Sequence, residues 1–232
     1  EMRLEQGARL TGTLLNDTTG LIRLSGLGHV AYAENGSFIN HGTIVADQTS
    51  RPEDSQAIFM DGRGDGDGQQ INTGHLVASG GYGVMTSTIS MRASSNYHEN
   101  RRNIFINRGN IRFTADKGTR HALYVKAGHT GHDLLNDGTL TVLGNGAVAM
   151  RTDSESRLVN RGIINLGEEG SADSGQVAMM MGKDATSSAV ILNDEKGEIN
   201  VYSSNSYAFA ILGDDFYHNR VLINRGKVSL LC

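Results

Sequence analysis

Short apolar segments recur along the whole chain, and eight of them are followed by an Asn-x-Gly triplet or a slightly longer version of it. In a typical copy, two apolar residues precede the asparagine and an alternating segment follows the glycine, as in Phe38-Ile39-Asn40-His41-Gly42-Thr43-Ile44. Alternation of apolar and polar residues over about four to eight positions is typical of half-buried β-strands. The pattern therefore predicts a strand, a corner and a second strand in every copy. The eight copies centre on Asn16, Asn40, Asn72, Asn107, Asn136, Asn160, Asn193 and Asn224.

The spacing of these asparagines predicts how the strands are arranged. Successive asparagines are 24, 32, 35, 29, 24, 33 and 31 residues apart. Three short strands joined by three tight turns need about 24 residues, which is one rung of a parallel β-helix. We therefore predict an all-β parallel β-helix (solenoid) of about seven to eight three-strand rungs, with the excess residues in protruding loops. The longest predicted loops are 47–55, 61–70, 86–103 and 126–133.

A second motif lies between the asparagines, in which a small residue precedes alternating apolar positions. It is interpreted as another strand of each rung, for example Ala122-Leu123-Tyr124-Val125, Ala147-Val148-Ala149-Met150 and Gly83-Val84-Met85. The apolar pair before each asparagine would then form the remaining face.

The corner residues have a predicted structural role. Asparagine tolerates the left-handed α region best after glycine, so we expect the asparagine to turn the corner there and the glycine to supply a second unusual dihedral. Equivalent asparagine side chains would stack and hydrogen-bond along the axis. The alternative is a set of antiparallel hairpins, but a hairpin turn is most often two residues long, as Asn-Gly, and needs no constant apolar flanks.

Composition narrows the possible functions. Lys and Arg total 21 against 25 Asp and Glu, and this net charge of −4 gives no reason to expect nucleic acid as a partner. The longest apolar runs span only a few residues, so no membrane insertion is expected. The one cysteine, Cys232, excludes a disulfide framework within the chain. The 30 glycines and single proline fit a chain that turns often and keeps its backbone donors for strand pairing.

The apolar-Asn-x-Gly-apolar rungs, alternating with Ala-apolar strands from Leu14 to Leu230, resemble the passenger domains of bacterial autotransporter adhesins. Filamentous-haemagglutinin-like secreted proteins use similar rungs. The resemblance implies a right-handed β-helix, export through the outer membrane to the bacterial cell surface, and adhesion without catalysis. It implies binding to a host extracellular matrix protein or a glycosaminoglycan, or self-association that drives cell aggregation and biofilm formation. We expect residues 1–232 to form a single β-helix domain that is a fragment of a longer passenger.

One predicted loop contains the tripeptide Arg63-Gly64-Asp65, which integrins read in matrix proteins. A protruding loop can place the Arg63 guanidinium and the Asp65 carboxylate at opposite ends, where the carboxylate can complete a receptor-bound divalent cation. The alternative is a chance occurrence in a solvated acidic turn.

The best basic patch comprises Arg92, His98, Arg101 and Arg102 on one long predicted loop, with Arg108, Arg120 and Lys126 expected on neighbouring rungs. A solenoid can line up basic residues to match a sulfated glycosaminoglycan, which is a long anionic rod. The alternative is an ordinary solvated loop.

Metal and catalytic sites are not predicted. His129, His132 and Asp133 are interpreted as exposed loop residues, because two histidines three positions apart make a weak metal site, and no cofactor is expected. Asp214-Asp215 resembles the paired aspartates of polygalacturonases, and carboxylates on adjacent rungs could cleave a polysaccharide. The companion Asn-Thr-Asp, Gly-His-Gly and Arg-Ile-Lys segments of that family are missing, so a polysaccharide-cleaving enzyme is kept only as the second alternative.

Overall fold

The computed structural model describes residues 1–4, 8–11, 13–24, 31–34, 37–47, 58–61, 70–79, 87–92, 103–115, 120–125, 132–185, 188–213 and 219–232. These residues form strands, turns and irregular segments, and no helix long and apolar enough to cross a membrane occurs among them.

The strands belong to three sheets that the chain visits in turn. The first sheet contains β1 (Met2–Leu4), β4 (Leu21–Leu24), β7 (Thr43–Asp47), β10 (His75–Ser79), β13 (Asn110–Thr114), β16 (Thr139–Leu143), β19 (Ile163–Leu166), β22 (Glu198–Val201) and β25 (Lys227–Leu230). The second sheet contains β2 (Ala8–Thr11), β5 (Ala31–Glu34), β8 (Ile58–Asp61), β11 (Ser87–Arg92), β14 (Arg120–Val125), β17 (Ala147–Thr152), β20 (Val177–Met181) and β23 (Tyr207–Ile211). The third sheet contains β3 (Leu14–Asn16), β6 (Phe38–Asn40), β9 (Gln70–Asn72), β12 (Asn103–Asn107), β15 (His132–Asn136), β18 (Arg157–Asn160), β21 (Val190–Asn193) and β24 (Val221–Asn224).

Every strand pair in these sheets is parallel, and each strand pairs with the strands three places earlier and later in the chain. The chain therefore adds one strand to each sheet per turn, and successive turns stack in order. This arrangement is all-β and consistent with a β-helix or solenoid. The antiparallel hairpins considered as an alternative are wrong for the described strands, because all of their neighbours run in the same direction.

The main hydrophobic core runs along the inside of the stack, between the three sheets, and a smaller buried cluster comprises Val148, Val177 and Met180. In the third sheet, the residue two positions before each corner asparagine points inward, and register places these residues directly above one another. Phe105, Leu134, Leu158 and Ile191 form part of this column and are fully buried. Gln70 occupies the same column and is also buried, and no described residue donates a hydrogen bond to its side-chain carbonyl Oε1.

The corner asparagines form a continuous hydrogen-bonded ladder inside the stack. The Nδ2 group of each donates to the Oδ1 atom of the asparagine in the next turn, over distances of 2.7–2.9 Å. Most of the amides also donate to a backbone carbonyl, as Asn136 does to Ile163 at 3.1 Å. Since all but Asn224 are buried, the ladder satisfies polar groups that would otherwise be costly to bury.

The predicted backbone reason for the corner is wrong. Among the described non-glycine residues, Ser188 and Asn205 have positive φ, whereas the corner asparagines and the corner glycines do not. Glycine is instead required by a close approach between turns. A Cβ atom on Gly109 or Gly162 would lie 2.1 Å from the carbonyl oxygen of the corner glycine one turn earlier. No side chain fits at that separation.

Predicted boundaries of one strand and two loops are also wrong. The second-sheet strand assigned to Gly83-Val84-Met85 is β11, Ser87–Arg92, which pairs with β8 and β14, and residues 80–86 lie outside the described residues. Arg92 therefore ends a strand, in register with Asp61, instead of lying on the predicted loop 86–103. In the same way, His132 and Asp133 begin β15 instead of lying on the predicted loop 126–133, and Asp133 is buried instead of exposed.

Candidate interaction surface

The corner between the third and first sheets is the most regular part of the outer surface. Only two residues separate the strands there in most turns, as between β6 and β7, and four residues separate them where the Asn-x-Gly motif carries its insertion. All segments outside the described residues fall at the other two corners. The Asn-Gly corner and the adjacent outer face of the third sheet therefore repeat from turn to turn, and the corner varies only by the two-residue insertion at 17–20 and 194–197.

That outer face carries an unbroken row of aliphatic side chains, which we call the aliphatic stripe. Each member precedes a corner asparagine, and the members on β6, β9, β12, β15, β18 and β21 lie between two buried residues, so they point outward. Register stacks the members directly on one another, as with Ile71, Ile106 and Leu135. The stripe consists of Leu15, Ile39, Ile71, Ile106, Leu135, Val159, Leu192 and Ile223.

The stripe remains partly exposed despite this stacking. Leu15, which has a stripe neighbour on one side only, is 58% exposed, and the others retain an intermediate exposure. Because neighbouring strands are about 4.8 Å apart, eight stacked positions span about 34 Å. Isolated apolar residues on a protein surface are common, but a contiguous apolar patch of this length is typical of an interaction site.

A row of polar and charged residues runs beside the stripe, and we call it the corner column. Its members are the residues that follow each corner asparagine: Asp17, His41, Thr73, Arg108, Asp137, Arg161, Asp194 and Arg225. From Arg108 onward the charge alternates in sign at every turn. Within the column, one carboxylate oxygen of Asp137 forms an ion pair with Arg161 Nε at 3.1 Å. The other carboxylate oxygen of Asp137 lies 3.8 Å from Arg108 Nε. The column is therefore not a continuous basic strip.

The predicted ligand-binding residues are not brought together by the described structure. Arg63, Asp65, Arg101 and Arg102 lie outside the described residues, whereas Arg92 ends strand β11. Two neighbours proposed for the basic patch also separate. Arg108 belongs to the exposed corner column, whereas Arg120 is only 8% exposed and cannot present its charge to an external polyanion.

The residues considered for metal binding and catalysis are also separated. Asp133 is buried and accepts hydrogen bonds from the backbone and side chain of Arg157, at 2.9 and 3.1 Å. His129, Asp214 and Asp215 lie outside the described residues. Within the part of the chain that the structure describes, no three His, Cys, Asp or Glu side chains are grouped so that they could hold a metal ion.

A polar network that sequence reasoning did not find lies on the outer side of the second sheet. The Tyr124 hydroxyl donates to Asp153 Oδ2 at 2.7 Å, and Arg151 Nε donates to Asp153 Oδ1 at 2.9 Å. His121 stacks on the Tyr124 ring, with the ring centroids 4.9 Å apart. Burial raises the pKa of the Tyr124 phenol above its ordinary value, and the Asp153 carboxylate raises it further. Since its polar groups are mutually paired and largely buried, the network acts as a structural link between turns.

The aliphatic stripe also escaped the sequence interpretation, although its signal was present in every repeat. Two apolar residues precede most of the asparagines, and the alternation of a strand requires that only one of them can point inward. The second apolar residue in each copy was therefore the sign of an apolar outer face.

Together these features define an elongated all-β protein with a repeating, partly apolar side face. The family model of the BigA fourth domain matches residues 1–232, so the chain belongs to the BigA fourth-domain family. The chain is 31% identical over 168 residues to BigA of Salmonella typhimurium (strain LT2), whose name describes a surface-exposed virulence protein. The match covers 70% of this chain and 8% of that relative's length. No solved structure gives a significant match.

Proposed function

We propose that this chain is a non-catalytic adhesion module of a protein displayed at the bacterial cell surface. In this proposal it forms part of a right-handed parallel β-helix that is exported through the outer membrane, as autotransporter passengers are. The name of the BigA relative, which describes a surface-exposed virulence protein, supports the location. The stacked parallel strands support the architecture.

The aliphatic stripe is the observation that carries the proposal. Aliphatic side chains on an outer face stabilise a solenoid only as far as they cover one another, and the apolar surface that stays in contact with water is unfavourable. Covering apolar area stabilises a complex by about 25 cal/mol per Å². A partner laid along the stripe would therefore gain a small contribution at each turn, and these contributions would accumulate along the rod.

The chemistry of the described surface favours a protein over a sulfated glycan as the partner. A glycosaminoglycan needs closely spaced cations, whereas the corner column places Asp137 between Arg108 and Arg161. A matrix protein can cover the stripe with its own apolar residues and match the flanking charges. Integrin recognition through Arg63 and Asp65 remains a separate proposal of the same class.

Binding of the purified chain to a panel of matrix proteins, integrin ectodomains and heparin tests the proposal. The test variant carries Ile106→Lys and Leu135→Lys, which places two charges on the stripe. The matched control carries Val77→Lys and Ile163→Lys, because both residues are 37–40% exposed on the outer face of the first sheet.

We expect at least one matrix protein to bind, and we expect the stripe variant to lose that binding while the control variant keeps it. Circular dichroism checks that both variants are folded. Equal loss in both variants would contradict a role for the stripe, and absence of binding to every matrix protein would contradict host adhesion. Binding to heparin alone, if weakened by Arg101→Ala with Arg102→Ala, would favour the glycosaminoglycan alternative.

A further inference from the structure

A buried histidine contact on the outer side of the second sheet indicates how the stack responds to acid. We infer that the contact between His121 and Arg151 is a proton-sensitive link between two turns, and that mild acid weakens it. His121 lies on β14 and Arg151 on β17, and these two strands are parallel neighbours. The link is independent of the adhesion proposed above, since no partner takes part in it.

The chemistry of arginine determines the protonation state of His121. Arg151 Nη1 lies 2.9 Å from His121 Nε2. A guanidinium carries five N–H donors and no acceptor, so this hydrogen bond forms only when Nε2 is the acceptor. An imidazolium has a proton on both ring nitrogens and therefore offers no acceptor. His121 is thus neutral in this contact, with its proton on Nδ1.

The surroundings hold both side chains in place. His121 is 3% exposed, and its ring stacks on Tyr124 with 20° between the ring planes. The Arg151 guanidinium lies 5.7 Å from the centroid of the same Tyr124 ring, and its Nε donates to Asp153 at 2.9 Å. A Cβ atom on Gly182 would lie 2.9 Å from Arg151 Nη2, so the guanidinium also packs against the backbone of the next turn. Neither side chain can move away without breaking other contacts.

A proton on Nε2 would turn the hydrogen bond into a repulsive contact. Two N–H donors would face each other, and two positive charges would be buried side by side, which disfavours the charged imidazole. Arg120, the preceding residue, is 8% exposed and adds another cation to this part of the strand. The residues in register with His121 are Ser87 on β11 and Val148 on β17, and neither carries a charge.

Two carboxylates oppose this effect, but less directly. Asp153 already accepts hydrogen bonds on both oxygens, from the Tyr124 hydroxyl at 2.7 Å and from Arg151 Nε at 2.9 Å. Besides burial and Asp153, the Asp184 carboxylate contributes to the raised pKa of Tyr124, so its charge reaches this cluster. Asp184 is exposed, however, and water and salt screen it. The direct contact with Arg151 therefore determines the preference of His121 for the neutral form.

The sign of the pH dependence follows from this preference. In the unfolded chain a histidine takes up a proton near pH 6.5, whereas the folded chain keeps His121 neutral. Below about pH 6.5 the unfolded state therefore binds one more proton, and stability falls as the pH falls. For one such histidine, a change from pH 7.5 to pH 5.5 raises the equilibrium constant of unfolding about tenfold.

Urea unfolding of the whole chain at pH 7.5 and pH 5.5 tests this link. The test variant is His121→Gln, which keeps a neutral acceptor oxygen but cannot take up a proton. The matched control is His75→Gln, because His75 is an exposed histidine of the first sheet. Between the two pH values, we expect the unfolding constants of the unmodified chain and of the control to rise about tenfold more than that of His121→Gln. An equal rise in all three chains, or the same reduction in both variants, would overturn the inference.

Nuclear magnetic resonance of the unmodified chain reports the protonation state directly and does not depend on the folding of a variant. Long-range ¹H–¹⁵N correlations distinguish a neutral ring protonated on Nδ1 from an imidazolium, and assignment from the backbone identifies the His121 ring. We expect this ring to carry its proton on Nδ1 at both pH values for as long as the chain is folded. An imidazolium in the folded chain at pH 5.5, or a neutral ring protonated on Nε2, would contradict the link.

Discussion

Replacing Asn136 with alanine removes a middle residue of the asparagine ladder and tests how the turns are held together. Asn136 accepts a hydrogen bond from Asn107 at 2.8 Å and donates one to Asn160, also at 2.8 Å. Its amide donates further to the Ile163 carbonyl at 3.1 Å. All three asparagines are fully buried, so water cannot replace the lost partners.

The expected magnitude follows from these contacts. A buried hydrogen bond contributes about 1 kcal/mol, and a buried polar atom that is left unpaired costs about 1–3 kcal/mol. Asn160 Oδ1 loses its ladder donor, whereas Asn107 Nδ2 keeps the Thr139 carbonyl at 3.2 Å. We therefore expect Asn136→Ala to lower the free energy of unfolding by about 3–5 kcal/mol.

Asn224→Ala is the matched control, because it changes the same residue of the same motif. Asn224 is exposed and accepts one ladder bond, from Asn193 at 2.9 Å, so the expected loss is below about 1 kcal/mol. Urea unfolding followed by circular dichroism measures both variants, and an unchanged dependence on denaturant shows that the same surface unfolds. Equal losses in the two variants would refute the idea that the buried ladder stabilises the stack.

Four further substitutions test other parts of the fold. Gly138→Ala should destabilise the chain by at least about 3 kcal/mol in urea unfolding, since its Cβ would lie 2.2 Å from the Gly109 carbonyl. Gly170→Ala should cost about 1 kcal/mol, because a Cβ there meets no atom within 4 Å and only the positive φ is unfavourable. Gln70→Leu should raise the free energy of unfolding by about 1 kcal/mol, since it removes a buried carbonyl without a donor, and a loss would refute this reasoning. The raised pKa of Tyr124 means that the folded chain holds this proton more tightly, so its contribution to stability is complete below about pH 10 and is lost as the pH rises further. The fall in urea midpoint above that pH should be smaller in Tyr124→Phe, and an unchanged pH profile would contradict the assignment.

The asparagine repeat is enough to predict most of the strand order. Each copy marks the end of a third-sheet strand and the start of a first-sheet strand, and both lie next to the motif in the chain. Second-sheet strands are harder to place, because their motif of a small residue before alternating apolar positions is less specific than Asn-x-Gly. The interpretation chose Gly83-Val84-Met85 by composition, whereas pairing with β8 and β14 selects Ser87–Arg92.

The candidate surface is only partly visible in the repeat. A second apolar residue before the asparagines can be read from the chain, but its exposure depends on which neighbour points inward. The network of Tyr124, Arg151 and Asp153 joins residues on different turns, so no local pattern predicts it. Of the candidate ligand residues, only Arg92 lies within the described chain.

The number of turns and the position of the corner follow from local chemistry, because alternation and the Asn-x-Gly motif act within a few residues of each other. The need for glycine at the corner does not follow from local chemistry. It arises because the carbonyl oxygen of Gly109 or Gly138 lies close to the corner glycine one turn later, and this contact exists only after the turns have stacked. The charge order along the corner column arises in the same way, since residues about 30 positions apart become neighbours only when parallel pairing sets adjacent strands about 4.8 Å apart.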